Sequence, residues 1–188
     1  MTVGPNRAPV AQPVPSPPAR TDAAPAPVWY KSKAPARLTA APLLIATATS
    51  VVALVLLVVA GTLIHQTVLI PPLAASMGLV VGASSTPLAQ PRNVIGGQLA
   101  SAVTGFAVLA IAGPGVWSSA VAGGLALGFM LLLRVAHSPA AATAVIVAAA
   151  HPPAGPFLAL LTLGTVILVI VGIAGNRVAK QRYPVYWW

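Results

Sequence analysis

Two short runs, Pro71–Pro72–Leu73–Ala74–Ala75–Ser76 and Ser138–Pro139–Ala140–Ala141–Ala142–Thr143, decide how this chain is read. Each joins proline to small apolar residues and ends on a hydroxyl. Proline is tolerated in the first turn of a helix, where the N–H it lacks would be unpaired anyway. Both runs therefore read as helix starts. Each opens a short apolar segment, roughly 68–83 and 138–150, lying between two longer ones. The longer segments fall at about 43–64 and 94–112, then 116–133 and 157–174. A helix needs ~20 apolar residues to cross hydrocarbon. The order long–short–long thus occurs twice, and three crossings per unit invert the second unit relative to the first. The expected fold is an all-α membrane protein of six apolar helical segments, two of them short and proline-initiated, in an inverted three-plus-three repeat. In such architectures the shortened pair points to the binding site.

Composition agrees. The 188 residues are 57% hydrophobic and 6% charged, with a mean hydropathy of +0.90. Soluble domains carry roughly 25% charged residues, so the bilayer is this chain's solvent. The formal charge is +9, and Asp22 is the only acid. Buried carboxylate proton relays, paired-carboxylate hydrolysis and carboxylate metal sites are excluded with it. The basic residues stand at segment boundaries, which suits topology and lipid contact rather than nucleic acid. Cysteine is absent, and the three histidines are separated, so no metal site and no cofactor are expected. No Gly–Lys–Ser/Thr loop or Gly–x–Ser–x–Gly elbow occurs, and Lys31, Lys33 and Lys180 lie outside the apolar segments. An enzyme is not expected.

Residues 1–41 read as a disordered Pro/Ala-rich tail, 42–176 as the membrane domain, and 177–188 as a basic and aromatic C-terminal tail. If all six segments cross, Lys31, Lys33, Arg37, Arg92, Arg134, Arg177, Lys180 and Arg182 share one side. The opposite loops, around His65–Gln66, Gly113–Gly115 and His151–Gly155, hold no Lys or Arg. The positive-inside rule then places both termini in the cytoplasm, with the protein in the inner cell membrane. A four-span arrangement with re-entrant short segments would put Arg92 and Arg134 outside, so six crossings are favoured.

In the six-crossing arrangement the second helix starts from outside and the fifth from inside. Their N-termini then face each other at mid-depth. Each offers unpaired N–H groups and about half a positive charge, and two together suit a small anion. Pro71, Pro72, Ser138 and Pro139 start these helices, while Ser76 and Thr143 supply hydroxyls. Gln90, Arg92 and Asn93 stand at one mouth, and Arg134 and His137 precede the fifth helix. The arginines would concentrate anions, and His137 could couple a proton. The plainer readings are snorkelling for Arg92 and Arg134 and back-bonding to their own helices for Ser76 and Thr143. Gly124–x–x–x–Gly128 permits close helix approach, inside the protein or in a homo-oligomer.

The run Pro87–Leu88–Ala89–Gln90–Pro91–Arg92–Asn93–Val94–Ile95–Gly96–Gly97 closely resembles the signature of the HPP family of integral membrane proteins. Arg134–Val135–Ala136–His137–Ser138–Pro139–Ala140–Ala141–Ala142–Thr143 resembles that family's His-Pro-Pro-Ala-Gly-Ala-Thr motif, and Ile70–Pro71–Pro72 also matches. Ser138 replaces the motif's first proline and Ala141 its glycine. A literal His151–Pro152–Pro153–Ala154–Gly155 lies further on and is the alternative alignment. The resemblance implies a domain usually described with four membrane helices, and nitrite transport in some plastid and cyanobacterial members. The expected function is a transporter or channel for a small monovalent anion, nitrite by analogy. The alternative is a non-transporting membrane scaffold that engages partners through the Pro-rich tail and the Gly faces. Expected partners are a small inorganic anion, membrane lipids and a second copy of the chain, with no nucleic acid.

Overall fold

A computed structural model describes residues 37–187. The expected disordered tail, up to residue 36, lies outside the described residues. Six helices follow: α1 (Ala40–Leu63), α2 (Pro71–Gly82), α3 (Pro91–Ala112), α4 (Val116–Leu132), α5 (Ala141–Ala150) and α6 (Ala154–Val178). Single 3₁₀ turns at Pro87–Ala89 and Ser138–Ala140 precede α3 and α5. No strand occurs among the described residues. Helices α1, α3 and α6 are long and apolar enough to cross a membrane, whereas α2, α4 and α5 are shorter apolar helices. The structure starts α3 at Pro91, so Arg92 and Asn93 are helical rather than loop residues. Proline at the first helical position explains the earlier start. Helix α6 likewise runs past the expected end to include Asn176 and Arg177.

Side-chain packing fixes the direction of every helix. A Cβ built on Gly175 would meet Thr49, and one on Gly164 would meet Leu57, so α1 and α6 are antiparallel. Leu73 lies against Gly164 and Val80 against Gly172, so α2 runs with α6 and against α1. Phe106, late in α3, stacks edge-on against Phe157, early in α6, with ring centroids 5.9 Å apart. Gly97 faces His137 and Gly105 faces Val147, which makes α3 and α5 parallel. Gly97 also faces Met130, near the end of α4. The six helices therefore alternate in direction. One end of the bundle gathers the starts of α1, α3 and α5 and the ends of the other three.

The two halves repeat residue by residue. A shift of 67 residues carries the buried face of α3 (Val94, Gly97, Gln98, Ser101, Ala102, Gly105) onto that of α6 (Leu161, Gly164, Thr165, Leu168, Val169, Gly172). The same shift carries Leu73, Ser76, Met77 and Val80 onto Ala140, Thr143, Ala144 and Val147. A shift of 69 carries Thr49, Ala53, Leu57 and Gly61 onto Ser118, Ala122, Ala126 and Met130. The loop before α2 is thus two residues longer than its counterpart before α5. Helix ends repeat as well. His65 and Arg134 are left-handed after α1 and α4, Lys180 is left-handed after α6, and Gly113 after α3 shares the positive φ with an extended ψ. Left-handed residues there let the last carbonyls be capped. Because α1 runs opposite to α4, the second unit is inverted, as the long–short–long order implies.

Short helices need help to reach across. At ~1.5 Å per residue α2 is only about 18 Å long, against a hydrocarbon layer of ~30 Å. The preceding loop descends to cover the difference, burying Val68 against Gly164 and Leu57. Before α5 the chain does the same through Val135 and His137, which come against Gly96 and Gly97.

Candidate functional site

The descending loop before α5 carries His137 into the core. Ser76, Gln98, His137 and Thr143 are all 0% exposed and hydrogen-bonded in one chain. His137 Nδ1 lies 2.8 Å from the Leu88 carbonyl, and Nε2 lies 2.7 Å from Ser76 Oγ. Gln98 Nε2 donates to Ser76 Oγ at 3.0 Å, and Thr143 Oγ1 donates to Gln98 Oε1. Ser76 also lies 2.8 Å from the carbonyl of Pro72, one turn back. Ser101 closes the group by donating to the Ala140 carbonyl.

Position makes this cluster unusual. Leu73 packs on Gly164 and Val80 on Gly172, so Ser76 lies level with the middle of α6. A hydrogen-bonded imidazole and amide at that depth is costly to build and marks a functional region by default. The repeat sharpens the point. His137 corresponds to Ile70 and Ser101 to Leu168 under the 67-residue shift, while Gln98 corresponds to the smaller Thr165. The second half opens its short helix on an imidazole where the first opens on a hydrocarbon.

The structure brings Ser76, His137 and Thr143 together, and leaves other expected site residues elsewhere. The two short helices do approach from opposite ends, but they do not meet tip to tip. Ser76, in the second turn of α2, meets the residue ahead of the turn that opens α5, so the helix starts overlap side by side. Side chains rather than bare N–H groups fill the meeting point. Pro71 is exposed and Pro72 buried, while Ser138 and Pro139 shape the 3₁₀ turn. Gln90 is buried and donates to the carbonyls of Ser84 and Thr86. Asn93 donates to the Ala136 carbonyl at 3.0 Å, pinning the loop that delivers His137. Arg92 lines a groove of about 300 Å³ with Pro91, Ile95, Gly96, Val135 and Trp187. Arg134 is exposed beyond the end of α4. Both arginines stand at the end of the bundle where α3 starts and α4 ends.

Sequence reasoning missed Gln98, which bridges Ser76 of α2 and Thr143 of α5. Its signal was an amide inside an otherwise apolar helix. It also missed the Leu88 carbonyl, which no side chain announces, and the C-terminal tail. There Tyr183 donates to the Ala89 carbonyl at 3.0 Å, and the Val185 N–H donates to Gln90 Oε1 at 2.8 Å. Three successive residues of one turn thus hold the imidazole, the phenol and the tail. The competing histidine, His151, is exposed and left-handed at the end of α5.

Comparison with known proteins agrees with this architecture. Residues 35–184 match the transmembrane region of the HPP family. Two proteins of Dictyostelium discoideum, each described only as a transmembrane protein, are similar to the chain. One is 32% identical over 133 residues, covering 64% of this chain and 46% of the relative. The other is 32% identical over 124 residues, covering 61% and 40%. The chain therefore spans less than half the length of either relative. No solved structure matches. With its signature turn holding the buried imidazole and its membrane region matched almost end to end, the chain belongs to the HPP family of transmembrane proteins.

Proposed function

We propose that this protein carries a small monovalent anion through the membrane, with nitrite the first candidate to test. The observation that carries the reading is the mid-depth cluster of Ser76, Gln98, His137 and Thr143, set where two inverted short helices overlap. The cluster consists of hydroxyls, an amide and an imidazole, all able to donate to an anion, and no carboxylate stands in the membrane domain to repel one. Arg92 and Arg134, at the end with the basic residues, would raise the local anion concentration. By the positive-inside rule that end faces the cytoplasm of a cell membrane, with both termini there.

Purified protein in liposomes, challenged with nitrite, nitrate, formate and chloride, tests the proposal directly. We expect uptake of at least one of these anions. Gln98→Leu removes the amide that bridges Ser76 and Thr143 and should lower that flux by about tenfold or more. Arg92→Gln, which removes one positive charge at the basic end, should lower it about two- to threefold. Protein that moves none of the four, or Gln98→Leu protein with full flux, removes the reading.

A further inference from the structure

Hydrogen-bond bookkeeping around His137 leads further, to what must accompany the anion. The Leu88 carbonyl can only accept, so Nδ1 carries a proton in every state of the ring. In the neutral ring Nε2 must accept, and Ser76 gives it the one hydroxyl hydrogen it has. If Nε2 is protonated it donates to Ser76 Oγ instead. The serine hydrogen then turns to the Pro72 carbonyl, already at 2.8 Å. Gln98 donates to Ser76 Oγ in both cases. The site can therefore take a second ring proton with every bond kept and no heavy atom moved.

Charge is the obstacle. An imidazolium there would sit fully buried at mid-depth, where an ion without a partner is strongly disfavoured. Among the described residues, the elements packed around it offer no counter-charge. Helices α2 and α5 and the Pro87–Ala89 turn carry no ionisable side chain, α3 carries only Arg92, and the end of α4 only Arg134. Both are positive. The chain's single acid, Asp22, lies in the N-terminal tail.

We infer that the transported anion is itself the counter-ion of His137, so that one proton and one small monovalent anion occupy the site together or not at all. This rests on the anion reading above and deepens it to proton–anion symport. Coupling is reciprocal: the anion draws in the proton, and the proton tightens the anion. Over the window in which the empty site is neutral and the loaded one protonated, anion affinity should fall about tenfold per pH unit as pH rises.

Calorimetry on the full chain in lipid nanodiscs tests this, with nitrite, formate and chloride as probes. Titration in two buffers of different ionisation enthalpy counts protons taken up per anion bound. About one is expected near pH 7. In a His65→Gln/His151→Gln variant His137 is the sole imidazole, and both replaced residues are exposed. Its ring nitrogen signals should report the Nδ1–H tautomer without anion and a doubly protonated ring with it. Binding with no proton uptake, or a ring that stays neutral when loaded, overturns the coupling and leaves the anion reading standing. Failure of every probe to bind overturns both.

Discussion

Gly105 and Gly172 occupy equivalent places in the two halves, and each is held by a valine of the neighbouring short helix. A Cβ on Gly105 would come within 2.9 Å of Val147 Cβ and 3.0 Å of the Ala144 Cα, and one on Gly172 would meet Val80. Backbone atoms cannot swing aside, so Gly105→Ala should cost about 1–3 kcal/mol through overpacking. At Gly124 an added Cβ meets nothing within 4 Å. There the helix preference for alanine over glycine, about 1 kcal/mol, should act alone, and Gly124→Ala should hold or raise stability. Thermal unfolding of the two variants in one detergent separates them, and equal midpoints would refute the assignment of tight and open glycines. At this scale the sequence was partly legible. Ser76, Thr143 and His137 could be named because prolines mark the helix starts beside them. Gln98 could not be ranked above other polar residues, since its importance comes from lying between two helices far away in sequence. Arg92 and Arg134 stand out by their charge, yet charge at a boundary reports orientation as readily as a site.

Helices α2 and α5 are short because the loops before them do part of the crossing. Periodicity located both helices, and the prolines gave their starts to within a few residues. What periodicity could not give was the manner of their meeting, which depends on how far each loop descends. That depth is set by side chains such as Val68 and Val135 fitting against the glycines of α6 and α3. Alternating direction makes a sharp expectation for accessibility. Single cysteines at His65, Gly113 and His151 should react with a membrane-impermeant thiol reagent from one side of the bilayer. Cysteines at Ser85, Arg134 and Lys180 should react only from the other. Labelling of His65 and Ser85 from the same side would mean that α2 does not complete a crossing.

Across the whole molecule the basic end is also the clasped end. Tyr183 is 5% exposed, packs beside Gly172 and ties the C-terminal tail to the turn before α3. Tyr183→Phe should cost about 1 kcal/mol for the lost bond and keep the ring's packing. Burial pushes the Tyr183 phenol above its ordinary value. The folded state therefore holds this proton where the unfolded chain releases it, and the wild type should lose stability as pH rises past about 10. Tyr183→Phe should lose less. Unfolding midpoints at neutral and alkaline pH check both statements. The tail's role is invisible in the sequence, because a Tyr–Pro–Val–Tyr–Trp–Trp run reads as an interfacial aromatic belt wherever it lies. The inverted repeat, by contrast, was legible from two six-residue runs, since the same packing problem had been solved twice with similar residues.

Turning the molecule upside down keeps its long–short–long helix order, although α1 has 24 residues and α4 has 17. The order of helices thus gives the insertion machinery little by which to tell one way up from the other. That choice falls to a handful of side chains: among the described residues Arg92, Arg134, Arg177, Lys180 and Arg182 stand at one end of the helix bundle, and the loops at the other end carry neither lysine nor arginine. A few mutations that moved those positive charges would suffice to flip the whole protein, or to leave a population facing both ways.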